Sequence, residues 1–267
     1  MERYRDRRNE RHGHHTLKLA AWALVIMLGC ARSGRTLPED TESKLPTDRV
    51  LTRENCKAEQ PAGAGSVKIA GICNARYVGA LPVGTTRHLK PQALLRSADL
   101  QMVDEEGYSK LVELGIAAAV DFRTEHEEHH SPDAPWVRRG TRYLNLALPK
   151  IEEPSSRAYT TTMTVLEPML PRLFEHLGAP NALPALFHCN TGRGRSCLGM
   201  AIVLLAVGVA PKDVARDFTS NQDIQVDVHW LDGVFERIGR SGGIDAYLES
   251  HSVAQADLTS LRRQALD

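Results

Sequence analysis

The chain has 267 residues, and its 33 acidic side chains balance its 33 basic ones. Nucleic-acid binders carry a basic domain or stripe, so this balance argues against that class while leaving room for a local cationic pocket. About two hundred residues remain once the N-terminal segment is set aside, enough for one domain with an ample core, and no internal repeat divides them.

Residues 1–18 are crowded with arginine and histidine, an apolar run follows over residues 19–28, and Gly29-Cys30 comes next. A membrane-spanning helix needs about 20 apolar residues, so this run is too short to span, and residues 1–30 have the layout of a secretory signal. Met27-Leu28-Gly29-Cys30 resembles a bacterial lipobox. On that reading Cys30 becomes the lipidated N-terminus of the mature protein, anchored to a membrane of the bacterial cell envelope, with a periplasmic or secreted form as the variant without lipid. A cytosolic chain with a disordered basic arm is the alternative. Residues 31–60 are polar and lack periodicity, which reads as a tether, and residues 61–267 form the expected domain. In an oxidising compartment Cys56 and Cys73 either pair as a disulfide or stay as two thiols.

Within the domain, strand-like runs are expected near residues 67–72, 117–122, 143–148 and 185–187. Helical periodicity is expected near 104–114, 161–177, 196–207, 211–219, 228–238 and 255–265, the second of these broken at Pro168 and Pro171. Alternation of strands and helices predicts an α/β fold with a mostly parallel central sheet flanked by helices. Asp121 sits just past the apolar run over residues 116–120, at the strand end where α/β sites gather. After it, His126-Glu127-Glu128-His129-His130 matches the His-Glu-x-x-His pattern of zinc enzymes. No apolar residue is there to bury and fix such ligands, and no third ligand motif follows, so the segment reads as a solvated, acid-rich helix start. Nothing in the sequence calls for a metal or another cofactor.

The most specific segment joins the run at 185–187 to the helix at 196–207: His188-Cys189-Asn190-Thr191-Gly192-Arg193-Gly194-Arg195-Ser196. A loop that folds around a tetrahedral anion needs inward backbone N–H groups, and Gly192 and Gly194 permit the dihedrals required. The helix N-terminus adds partial positive charge, which favours the thiolate of Cys189. Arg195 can grip two phosphate oxygens bidentately, Arg193 adds a cation at the rim, and Ser196 is placed to hydrogen-bond the departing sulfur. The spacing predicts attack of sulfur on phosphorus, with the segment 190–195 binding the phosphate.

On these residues the chain resembles the cysteine-dependent protein tyrosine phosphatases, whose signature is His-Cys-x-x-Gly-x-x-Arg followed by Ser or Thr. Asn74-Ala75-Arg76-Tyr77-Val78-Gly79, Leu95-Arg96-Ser97-Ala98-Asp99-Leu100 and Val120-Asp121-Phe122-Arg123 resemble the ordered blocks of the bacterial branch that includes lipid phosphatases, and the resemblance covers residues 66–225. It implies a phosphatase acting on phosphomonoesters of phosphotyrosine or dual-specificity type through a cysteinyl-phosphate. The implied partners are phosphorylated proteins or, alternatively, phosphoinositides and inositol polyphosphates. A phosphate-binding pseudophosphatase is the other reading.

Two positions depart from that branch. Many of its members carry an aspartate in the loop, where this chain has Gly194, so the general acid comes from elsewhere or is weak. Glu152, or its neighbour Glu153, in the loop after the third strand-like run is one candidate. Asp121 is the rival, with orientation of Arg123 as its alternative role. Cys197 stands where the signature usually has glycine, and is either a resolving thiol for oxidised Cys189 or a small helix residue.

Overall fold

A computed structural model describes residues 65–133, 135, 140–219 and 226–267. The expected signal segment at 1–30 with Cys30, the tether at 31–60 and Cys56 lie outside the described residues. Among the described residues no helix is long and apolar enough to cross a membrane. Cys73 is disulfide-bonded, whereas Cys189 and Cys197 are free thiols.

The chain runs through β1 (Arg76–Tyr77), a hairpin of β2 (Pro82–Val83) and β3 (Arg87–His88), then β4 (Leu94–Ser97), α1 (Glu105–Glu113), β5 (Ala118–Asp121), α2 (Glu125–His130) and β6 (Arg142–Asn145). It continues as α3 (Ser156–Leu166), a 3-10 turn (Glu167–Met169), α4 (Leu170–Gly178), β7 (Ala185–His188), α5 (Arg195–Ala206) and α6 (Pro211–Thr219). A second 3-10 turn (Val228–Leu231), α7 (Asp232–Arg240), α8 (Ile244–Ser250) and α9 (Gln255–Ala265) complete it. The sheet has the order β1-β4-β7-β5-β6, and only β1 runs antiparallel to its neighbour. This is the mostly parallel, helix-flanked sheet expected of the alternating pattern.

β7 is central, with β4 on one side and β5 on the other, and every residue of these three strands is buried. Successive side chains of a strand point to opposite faces, so each strand feeds two cores. Ala185 and Phe187 join the larger core with Phe122, Leu173 and Leu198, while Leu186 joins the smaller one with Leu95 and Leu111. The parallel register brings Ser97, His188 and Asp121 level with one another at the strand ends.

Two expected elements differ in detail, and others were not expected at all. Residues 67–72 form no strand, because Gly71 at φ 74° turns the chain and Ile72 N–H bonds back to Ile69 O at 3.1 Å. β1 takes the edge position instead. The helix expected at 161–177 starts earlier, where the Ser155 side chain accepts the Ala158 N–H at 3.2 Å, and the 3-10 turn at Pro168 splits it. α8 was not expected. It follows Gly242 and Gly243 at φ 89° and 106°, a reversal that its short apolar pattern does not announce.

Candidate active site

The apolar run of β7 ends at His188, the chain leaves the sheet at Cys189, and it becomes helical again at Arg195. Gly192 has φ 72°, and a β-carbon on it would lie 2.5 Å from the Ser97 backbone. Only glycine therefore lets this loop rest on the end of β4. Asn74 Nδ2 donates to Thr191 O at 3.2 Å, and the Asp99 N–H donates to Asn190 O at 3.3 Å, fixing the loop from the β1 and β4 side. α5 is buried along its whole length, so the partial positive charge of its N-terminus acts on the loop with little screening by water.

Cys189 is 2% exposed. Its Sγ receives the Gly192 N–H at 3.3 Å and lies 3.4 Å from Ser196 Oγ. Burial pushes the thiol up, but the Arg195 charge and the hydrogen bonds from Ser196 and Gly192 outweigh it, and the net shift favours the thiolate.

Arg195 is held by a residue that sequence patterning placed on a solvated face. Its Nη1 and Nη2 donate to the two carboxylate oxygens of Glu127 at 2.5 and 2.9 Å, and Nη1 also reaches Leu148 O at 3.3 Å. Glu127 is held in turn by Thr124, whose N–H and Oγ1 donate to it at 2.9 and 3.0 Å while the Glu127 N–H returns a bond to Thr124 Oγ1. This capping box opens α2. Burial pushes the Glu127 carboxyl up, yet the Arg195 and Thr124 bonds bring it down to about 2. Thr124-x-x-Glu127 was the sequence signal for this arrangement. The glutamate of the His-Glu-x-x-His pattern is thus committed to a guanidinium, and its histidines lie exposed, with His126 and His130 stacked at 4.0 Å.

Asp121 is fully buried. Its oxygens accept from Arg123 Nε and Nη2 at 2.8 to 3.1 Å and from Tyr143 Oη at 2.6 Å. Burial pushes this carboxyl up, but His188, Arg123 and Tyr143 together bring it down to about 2. An ion-paired carboxylate at that value is ionised at neutral pH, so its geometry fits orientation of Arg123 and not proton donation. Among the described residues, Asp121, Asp133 and His188 bring ligand-type atoms within 4.8 Å of one another. Arg123 Nη2 already bridges the two carboxylates at 2.8 and 2.7 Å, supplying the positive charge a metal would bring.

The loop that carries Glu152 lies against the Cys189-to-Arg195 loop: a β-carbon at Gly194 would sit 3.7 Å from Ile151 Cδ1. Glu152 and Glu153 are exposed beside that contact, and Arg193 is half-buried in the loop itself. The fold therefore gathers Cys189, Arg195, Ser196 and segment 190–194 at one place, sets the Glu152 loop beside them, and puts Asp121 in the ion-paired layer with Arg123.

A profile of the tyrosine phosphatase family matches residues 67–267. A tyrosine-protein phosphatase of Nostoc commune is 25% identical over 232 residues, covering 82% of this chain and 74% of that protein. Among solved structures, the core catalytic domain of the PP-IP phosphatase SIW14 from S. cerevisiae is 17% identical with a TM-score of 0.41, covering 69% of this chain and 96% of that one. P. aeruginosa TpbA is 17% identical with a TM-score of 0.38, covering 66% and 97%.

Proposed function

The chain belongs to the tyrosine phosphatase family, and from that premise we propose that it hydrolyses phosphomonoesters of the phosphotyrosine type through a cysteinyl-phosphate on Cys189. The observation that carries this reading is the convergence on Cys189 Sγ of the Gly192 N–H and Ser196 Oγ, with the charge of an Arg195 fixed by Glu127 acting on it. The loop N–H groups and Arg195 hold the non-bridging oxygens of the phosphoryl group. The thiolate attacks phosphorus, the bond to the ester oxygen breaks, and that oxygen takes the proton of the Glu152 carboxyl. Water then attacks phosphorus and gives its proton to Glu152, while the Ser196 hydroxyl stabilises sulfur as the P–S bond breaks. The name of the Nostoc commune relative supports the substrate class.

Turnover of p-nitrophenyl phosphate tests the mechanism. Cys189→Ser is expected to lower kcat by about 10³-fold or more, and wild-type rates in that variant would end the thiolate reading. Glu152→Gln is expected to cost about 10²-fold on an alkyl phosphate and far less on the aryl ester, whose leaving group needs little protonation. Equal effects on both esters would remove Glu152 as the acid.

A further inference from the structure

A second sulfur touches the phosphate-binding loop. Cys197 is 1% exposed, and its Sγ lies 3.5 Å from Gly192 O while receiving Arg96 Nη1 at 2.8 Å. Burial, against the pull of Arg96, pushes this thiol up to about 12, so it keeps its proton at neutral pH and acts as the donor to Gly192 O. Arg96 stands on β4, is 2% exposed, and has an Nε with no hydrogen-bond partner among the described residues. Burial pulls its guanidinium down, but its surroundings, with the Asp217 and Cys189 charges among them, more than offset that and keep it cationic.

Gly192 links this group to the nucleophile. Its carbonyl meets Cys197, and its N–H meets Cys189 Sγ at 3.3 Å. With φ 72° and no side chain, its orientation depends on what its two polar groups bond. Donors therefore run from Arg96 N–H to Cys197 sulfur, from Cys197 S–H to Gly192 O, and from Gly192 N–H to Cys189 sulfur, each bond polarising the next group.

We propose that Arg96 and Cys197 are positioning residues for the nucleophile, holding Gly192 so that its N–H stays aimed at Cys189 while the Arg96 guanidinium adds a second buried positive charge near the thiolate. The proposal rests on the thiolate role given to Cys189 above.

The pH dependence of iodoacetamide alkylation at Cys189, followed by mass spectrometry, tests it in Cys197→Ala, Cys197→Ser and Arg96→Met beside the wild type, with circular dichroism as the check on folding. Cys197→Ala is expected to move the Cys189 titration to higher pH and to lower kcat about fivefold with KM little changed, the size expected of one net hydrogen bond. Cys197→Ser keeps a donor and recovers most of that loss. Arg96→Met moves the titration further, and if it fails to fold the two Cys197 variants decide. A folded Cys197→Ala protein with the wild-type titration and kcat overturns the proposal. Absence of aryl phosphate turnover in the wild type would instead overturn the phosphatase reading, and the alkylation profiles would still decide this one.

Discussion

Arg195 is held in one orientation because Glu127 takes one edge of its guanidinium and Thr124 takes the back of Glu127. The pair is nearly buried, with side-chain exposures of 7% and 11%, so its charge-assisted bonds are little weakened by water. Glu127→Gln keeps the shape but loses the charge and one acceptor. It is expected to lower kcat/KM for an aryl phosphate by about tenfold to hundredfold, since a misplaced clamp costs orientation in the transition state. Thr124→Ala is expected to act in the same direction and less. Unchanged kcat/KM in Glu127→Gln would show that Arg195 holds itself. The gathering of Cys189, Arg195 and Ser196 in one loop was legible because one short spacing sets it, whereas Glu127 was read as solvent-facing because its partner is 68 positions away.

α5 carries the site on its first turn and is buried on every side, which its continuous apolar sequence already implied. Its fit to β5 depends on Gly199, where a β-carbon would lie 2.2 Å from the Phe122 ring. Phe122 is fully buried and its carbonyl lies 3.4 Å from Arg195 Nη1, so moving the ring disturbs the clamp as well as the core. Gly199→Ala is expected to destabilise by about 1–3 kcal/mol, read from urea midpoints, and to lower kcat. Gly239→Ala in α7 has nothing within 4 Å and is the comparison, expected to be neutral or stabilising by about 0.5 kcal/mol. Equal effects at the two positions would contradict this packing. Helices with long periodic patterns were readable from sequence, while α8 and β1 were not, because elements of seven and two residues are set by turns and neighbours more than by their own pattern.

The molecule as a whole places Asp99, Asp121 and Asp133 around Arg123 and His188 beneath the site, and Asp99 and Asp121 respond to pH in opposite senses. Burial outweighs Arg123 and pushes Asp99 up to about 6, above the roughly 3.9 of an unfolded chain. The folded state then binds more protons there than the unfolded state, so the destabilisation is absent below about pH 4, grows through pH 6 and is complete above it. Asp121, brought down to about 2, contributes stability that is complete above about pH 4 and lost as pH falls toward 2. Asp99→Asn is therefore expected to raise stability by about 2 kcal/mol at pH 7.5 and by less than half of that at pH 4.5, and an equal gain at both would refute the assignment. By itself the sequence determined the alternating α/β class and the loop from Cys189 to Arg195, because dihedral freedom, periodicity and cysteine-to-arginine spacing are properties of neighbours along the chain. Only the tertiary structure decided what holds that loop. Asn74 meets Thr191 across 117 positions and Arg96 meets Cys197 across 101, contacts that exist because the order β1-β4-β7 brings these segments side by side.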